Sequence, residues 1–311
     1  MIFPVPLGAW MPDAPDYKNP GLTEAKNVYP SPSGFYPFWD KVTSGLSVTG
    51  TVMGSARFER SDGTEVICVG TSTDLFVIVG GVSNASSLGL TVSTAENWAF
   101  EQFGSAVYAT TLSGGSFYLT DVDSDTTFSA SPGSPPKGKA MARMDDFLVY
   151  GNLTDIDASS APFRVRWSTF NNPQITWGTD IGQQMGSIDM PEHLGPVTGL
   201  AGGDVGYIMQ KHGVSQFDYT GSATVFQKVL LQGSEDQSAG CAGHASIASV
   251  GGVHYWLSDI GFVKLSGGTI QIISSGRVWD WFLENANTEQ LHKVHATVNL
   301  DRRRIIWNFY G

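Results

Sequence analysis

The chain has 311 residues, 41% of them hydrophobic and only 15% charged, with 37 glycines and 15 prolines. That is enough apolar material for a sizeable core, too much for a disordered chain, and the Gly-rich balance of many short strands joined by tight turns. A net charge of −11 argues against a tight grip on a phosphate backbone, which draws on clustered Lys and Arg to displace counterions, and two cysteines are too few for a zinc motif or a disulfide framework.

Eight of the 15 prolines fall within the first 38 residues. Proline fixes φ and gives up a backbone donor, so this stretch cannot be a regular helix or a central strand and reads as an extended arm lying on something else. The division expected is an arm over 1–33 and a β-domain over 34–311, with GFYPF (34–38) as its first strand. No basic segment followed by an apolar one opens the chain. The longest apolar runs, such as LFVIVGGV at 75–82, are too short to span a bilayer, so the expectation is a protein made in a cytoplasm, with no membrane partner.

From about Ser55 one pattern recurs: a polar turn with Gly or Asp, an apolar strand, another turn, a second apolar strand. It appears at 56–81, 98–122, 140–153 with 163–170, 197–221, 245–274 and 293–311, about six units in all. Aligning the units on Val66, Ala106, Phe147, Gly206, Val253 and Ile305 gives spacings near those of a four-stranded blade. Such a sheet cannot bury both of its faces alone, so the expected fold is an all-β propeller of four-stranded blades with a Pro-rich N-terminal arm. A two-sheet sandwich is the competing architecture. Asp62-Gly63, Gly114-Gly115 and Gly267-Gly268 are hairpin signals, since they supply positive φ at low cost. SASPGSPPKGK (129–139) reads as an exposed linker and IDASSAP (156–162) as a loop tip. SGRVWDWFLENANTEQLHK (275–293) reads as partly helical, with Val278, Phe282 and Leu283 on one face. The last strand stops at Gly311, and its blade is completed either by the N-terminal strand or by residues of a longer chain.

Charge is distributed unevenly. No Lys or Arg occurs from Ser61 to Pro136, whereas Asp62, Glu65, Asp74, Glu96, Glu101, Asp121, Asp123 and Asp125 all do. These eight form either a solvated acidic surface or a wall that repels a polyanion.

Signatures of catalysis are missing: there is no G-x-S-x-G elbow, no phosphate-binding loop and no H-E-x-x-H helix. DVDSD (121–125) alternates carboxylates like a calcium loop, but Thr126 and Pro132 stand where that loop needs Gly and a bidentate Glu. His292 and His295 precede a strand at an odd spacing that sends them to opposite faces, and His193, His212, His244 and His254 are scattered. No catalytic residue, metal or cofactor is assigned. Cys68 and Cys241 read as small buried apolar residues. Trp98, Trp177, Trp256 and Trp307 fall in or beside apolar strands and read as packing between blades, while Trp10, Trp39 and Trp281 are better placed for an interface. Arg302-Arg303-Arg304 reads as a solvated hairpin tip or a contact to an acidic neighbour.

WMPDAPDYKNPGLTEAKNVYPSPSGFYPF (10–38) resembles the start of the tail hub, or nozzle, proteins of short-tailed bacteriophages, also called packaged-DNA stabilisation proteins. YWLSDIGFVKLSGG (255–268), with VWDWF (278–282), is similar to a mid-propeller blade of that family, and HATVNLDRRRIIWNF (295–309) to the next. The resemblance implies a structural virion protein without enzymatic activity, made in the host cytoplasm. It would assemble into an oligomer, typically a hexamer, below the portal and adaptor rings, continue the channel for double-stranded DNA, help retain the genome, and dock tailspikes or fibres. On that expectation Trp10, Pro12, Asp13, Pro15 and Pro20 are candidate contacts to a neighbouring subunit or the adaptor, and the eight acidic residues a candidate channel wall. The alternative is a carbohydrate-binding propeller, a lectin or depolymerase-like module with aromatic side chains stacked on sugar rings.

Overall fold

The computed structural model describes residues 8–31, 34–38, 45–236 and 238–311. A hairpin of β1 (Val28–Ser31) and β2 (Gly34–Pro37) comes first. The first blade follows: β3 (Val52–Glu59), β4 (Glu65–Thr71), β5 (Leu75–Val79) and β6 (Val82–Ala85). The second holds β7 (Ala99–Phe103), β8 (Ala106–Thr111), β9 (Gly115–Leu119) and β10 (Ser129–Ala130). The third holds β11 (Lys137–Met144), β12 (Phe147–Thr154), β13 (Ser160–Trp167) and β14 (Gly186–Asp189). The fourth holds β15 (Val197–Ala201), β16 (Gly206–Gln210), β17 (Val214–Tyr219) and β18 (Phe226–Leu230). The fifth holds β19 (Ala248–Val250), β20 (Val253–Ser258), β21 (Gly261–Ser266) and β22 (Thr269–Ile272). A short helix α1 (Trp279–Asn285) then leads to the hairpin of β23 (His295–Asn299) and β24 (Arg304–Asn308).

The protein is therefore an all-β propeller with five four-stranded blades, and the expectation of about six such blades is corrected. Each alignment residue from Val66 to Ile305 does lie in the second strand of its unit, but the sixth unit has two strands and not four. The sandwich is set aside because every blade is a separate antiparallel meander of four strands, and not part of one of two continuous sheets, among the described residues. Segment 129–139 is less of a linker than expected, since β10 and the start of β11 lie within it. The tip at 156–162 is shorter, β13 already beginning at Ser160. In α1 Phe282 is buried as expected but Leu283 faces outward, because one turn of helix can present only one of two adjacent side chains to the fifth blade.

Middle strands such as β8 and β12 are buried on both faces, which is why their sequences run almost without polar interruption. Successive side chains point to opposite faces, so each strand feeds two interfaces. From β4 and β5, Val66, Cys68, Leu75 and Val77 pack with Val107, Ala109 and Leu119 of the second blade. Tyr108 and Phe103 of that blade meet Met141, Leu148 and Tyr150 of the third. Next, Phe147, Val165 and Trp167 meet Leu200, Ile208, Phe217 and Phe226 of the fourth. Tyr207, Met209 and Val214 then meet Trp256, Val263 and Leu265 of the fifth. At about 25 cal/mol per Å² of apolar surface, these interfaces dominate stability. Trp98 fits only because Gly70 has no side chain: a methyl there would overlap the indole, whose Nε1 donates to the Thr71 carbonyl at 3.0 Å.

The last interface is of a different kind. Leu257 and Phe262 of the fifth blade pack with Phe282 of α1, Val294, Trp307 and Phe309, an aromatic cluster joining helix, loop and hairpin. Among the described residues no helix is long and apolar enough to cross a membrane.

Candidate functional site

Six innermost strands, β3, β7, β11, β15, β19 and β23, surround an axial channel of about 790 Å³. The ring closes where the His295 ring Nε2 comes within 3.3 Å of the Ser55 carbonyl, bringing β23 beside β3. At the end where the inner strands begin, Asn97 Nδ2 donates to the His292 carbonyl at 3.1 Å. At the other, Arg143 Nε donates to the Asp145 carbonyl at 2.9 Å and Nη2 to Asp146 Oδ1 at 3.2 Å.

The wall carries both signs of charge. Arg57 Nε lies 2.5 Å from Glu65 Oε1, with Glu59 Oε2 at 4.0 Å from Nη2. Glu101 stands on β7, and burial pushes its carboxyl from an ordinary 4.5 up to about 7, against the opposing pull of the Arg143 backbone hydrogen bond and charge. His244 faces the channel from the short 3₁₀ turn His244–Ser246, where burial pushes its imidazole from an ordinary 6.5 down to about 4, partly offset by a hydrogen bond with the Met141 backbone and reinforced by nearby His295. A neutral His244 can accept from the Leu200 N–H, at 3.4 Å from Nδ1. Among the described residues no three His, Cys, Asp or Glu stand close enough to hold a metal ion.

The eight acidic residues are not gathered into one surface. Glu65 and Glu101 line the axial channel. Asp74 is buried and accepts the N–H groups of Leu75, Ser87 and Leu88 at 2.9, 2.8 and 3.1 Å, which fixes the strand-to-loop turn after β6. Glu96 accepts from the backbone and hydroxyl of Ser113, both at 3.0 Å. Asp62 receives the Thr64 N–H at 2.8 Å, and hydrogen bonds to the Thr64 side chain and backbone hold its carboxyl below the ordinary value. Asp121, Asp123 and Asp125 belong to one turn: Asp121 Oδ1 accepts from Asp123 N, Asp125 Oδ2 from Asp121 N, and Asp123 Oδ1 from Ser61 N across the gap to the first blade. Arg60 Nε completes that clamp on the Val122 carbonyl at 2.9 Å. A run of like charge in sequence is here mostly spent on turn geometry.

The Pro-rich arm is not simply extended. Leu22 N–H donates to the Ala9 carbonyl and Met11 N–H to the Leu22 carbonyl, both at 2.8 Å, so the stretch holding Pro12, Pro15 and Pro20 closes into a loop. That loop lies on the same chain's α1. The Asp13 carboxylate accepts the N–H groups of Asp280 and Trp281, each at 2.9 Å, satisfying donors that the first turn of a helix leaves open. Trp10 meets Trp281 edge to face with ring centroids 4.6 Å apart, and its Nε1 donates to the Thr23 carbonyl at 3.3 Å. Trp10 and Asp13, expected to reach a neighbour, are thus engaged within the chain; Trp39 lies outside the described residues. Arg302 and Arg304 are not a free tip, because both guanidinium groups lie over the ring of Tyr29 in β1. Trp98, Trp177 and Trp256 are buried between or beside blades, and Cys68 and Cys241 are buried thiols raised to about 12 by burial.

Sequence reasoning missed a charged network on the third blade. Arg166 holds the buried Asp155 carboxylate through Nε and Nη2 at 2.6 and 2.9 Å, while Arg164 reaches Asp155 Oδ2 at 3.0 Å and grips Asp189 at 2.7 and 2.9 Å. Burial alone would raise Asp155, but the hydrogen bonds from Arg166, Ile156 and Arg164 together hold it below its ordinary value. The signal was present in FRVRW, where arginines two apart on a strand share a face.

Searches by family model and against curated proteins find no match. Among solved structures, the tricorn protease aligns over 84% of this chain and 26% of its own at 14% identity, with a TM-score of 0.41. AztD of Citrobacter koseri aligns over 69% of this chain and 60% of its own at 12% identity, with a TM-score of 0.39. The chain spans about a quarter of the length of the first and 60% of the second.

Proposed function

We propose that this chain is a structural virion subunit, part of the tail hub or nozzle of a short-tailed bacteriophage. In that role it oligomerises, as a hexamer, below the portal and adaptor rings, extends the DNA channel, helps retain the packaged genome and docks tailspikes or fibres. The observation that carries the reading is the meeting of the three stretches whose sequence resembles that family. Residues 10–38 are distant in the chain from 255–268 with 278–282 and from 295–309, which follow one another. They come together through Asp13 on α1, Trp10 on Trp281, Tyr29 against Arg304, and Phe262 against Phe282 and Trp307. The looped N-terminal segment that resembles the family's arm therefore packs against the later stretches that resemble the same family, which supports the reading.

The proposed role is that of scaffold and not catalyst, and it involves no metal or cofactor. The carbohydrate-binding alternative needs an exposed aromatic at a repeated blade position, whereas the tryptophans of the second, third and fifth blades are buried. The test is localisation: antibody labelling of the parent particles, with capture of portal and adaptor proteins from them by the tagged chain. Label at the tail together with those two partners is the expected result. A chain absent from particles that is retained instead on immobilised oligosaccharide would overturn it.

A further inference from the structure

At the end of the propeller where the inner strands begin, a cavity of about 180 Å³ adjoins the axial channel, with Trp98 and His244 common to both. Asn97 before β7, Lys139 of β11, Asn152 of β12, Gly243 before the turn His244–Ser246, and His292 of the sixth unit all line it. What sets the cavity apart is its charge. The chain carries 18 Lys and Arg against 29 Asp and Glu, yet two lysines act together here. Burial, then Lys293 and Lys139, hold the His292 imidazole below its ordinary 6.5, against hydrogen bonds with the Ala95 and Glu289 backbone. Neither lysine forms an ion pair among the described residues. The carboxylate at the rim, Glu96, is turned to Ser113, from whose N–H and hydroxyl it accepts hydrogen bonds at 3.0 Å each.

We propose that this cavity binds a phosphate oxyanion, either free hydrogen phosphate or the end group of a phosphomonoester. Two ammonium groups and an imidazole beside one hollow, with no carboxylate paired to the lysines, repel one another when charged, and an anion seated among them removes that repulsion. Lys139 supplies the direct contact: it is exposed, ends in three N–H donors, and has no acceptor among the described residues to hold it elsewhere. His292, already held by two backbone groups, adds charge and not a contact, because an anion nearby strengthens its hold on a proton.

Asn152 gives the site its selectivity. It stands opposite Lys139, between the pairs Gly138↔Leu153 and Ala140↔Gly151, where the β12–β13 register shifts, and its φ is +58°, a conformation that Asn adopts more readily than most residues. The residue is 8% exposed, and its Nδ2 donates to the Val197 carbonyl at 2.9 Å, which fixes the orientation of the amide. One N–H and the Oδ1 acceptor are left without a partner among the described residues, at the cavity wall. Buried polar groups are seldom left open in this way. A donor beside an acceptor suits an oxyanion that still carries a hydroxyl proton, as phosphate does near neutral pH and sulfate does not. Size agrees: about 180 Å³, at about 30 Å³ per water, holds one tetrahedral oxyanion with a few waters and excludes the sugar and base of a nucleotide. The inference does not rest on the function proposed above.

Calorimetric titration with inorganic phosphate at low ionic strength, beside an NMR titration of the His292 ring protons, tests it on the full chain and on the variants Lys139→Gln and Asn152→Asp. Lys139 is exposed and holds nothing else in place, so Lys139→Gln keeps the fold. Asn152→Asp keeps the shape and the tolerance of positive φ but turns a charge of the wrong sign on the site. One phosphate per chain is expected, with His292 titrating at higher pH in its presence. Binding should be at least about tenfold weaker in Lys139→Gln and lost in Asn152→Asp, and sulfate should bind the native chain at least about tenfold more weakly than phosphate. Methyl phosphate separates the two sources: binding at least as tight as that of inorganic phosphate assigns the end of a larger molecule, and weaker binding assigns the free ion. No saturable binding to the native chain would overturn the site. So would phosphate that leaves the His292 titration unmoved, binds Lys139→Gln as tightly as the native chain, or is matched by sulfate.

Discussion

The five complete blades and the N-terminal arm are held in place by different means. Between complete blades, alternating apolar side chains of adjacent sheets interdigitate, as Val66 and Leu75 do with Val107, and each interface draws on residues close in sequence. The N-terminal arm is fastened to α1 and the sixth unit by single, specific contacts between chain ends: Asp13 on α1, Trp10 on Trp281, and the Tyr29 ring against the Arg302 and Arg304 guanidinium groups. The first kind of seam is broad and tolerant. The second is narrow, and each contact carries a larger share of it.

The contrast can be broken first at its strong side. Trp256 is fully buried in the fourth–fifth interface, with its Nε1 donating to the Ala239 and Gly240 carbonyls at 3.1 and 3.2 Å. Trp256→Ala should cost about 3–5 kcal/mol in denaturant unfolding. Arg166→Ala comes next, or level with it. It strands the buried Asp155 carboxylate, at a cost of about 3–5 kcal/mol, and Asp155→Leu with Arg166→Leu should recover much of the loss because both charges then leave together.

At the narrow seam the effect is smaller but local. Asp13→Ala removes the acceptor for two helix donors and should cost about 1 kcal/mol, with faster exchange confined to α1 and the 9–22 loop. If the loss instead spreads evenly through all blades, the two seams are not distinct.

The smallest effect expected is that of pH on the axial channel. Glu101 binds its proton more tightly folded than unfolded, so its contribution falls as pH rises from about 4.5 to about 7. His244 is the opposite case: it binds its proton less tightly folded, so its contribution is lost as pH falls from about 6.5 to about 4. Glu101→Gln should therefore remove a fall in stability between pH about 4.5 and about 7, and His244→Gln a rise between pH about 4 and about 6.5, each measured as melting temperature against pH.

How much of this could be read beforehand follows from the same division. The blade rhythm was legible because a strand buried on both faces must be apolar along its length, and the alignment residues Val66 to Ile305 all fall in second strands for that reason. The strand count of the sixth unit was not legible, since nothing in RIIWNFYG says whether a third strand lies beside it. Acidic residues misled as a group: Asp74 looks like any surface carboxylate until three N–H groups from Leu75, Ser87 and Leu88 converge on it. Asp13 is the same case at longer range, its partners lying at Asp280 and Trp281. Hydrogen-bond partners that distant leave no local periodicity to detect.

The central claim, a scaffold built to assemble around an axis and not a solitary binding module, is tested most directly by native mass measurement of the purified chain across a range of concentrations. The account predicts a discrete ring of six copies as the end point of assembly. A monomer at every concentration, gaining mass only when oligosaccharide is added, would contradict it.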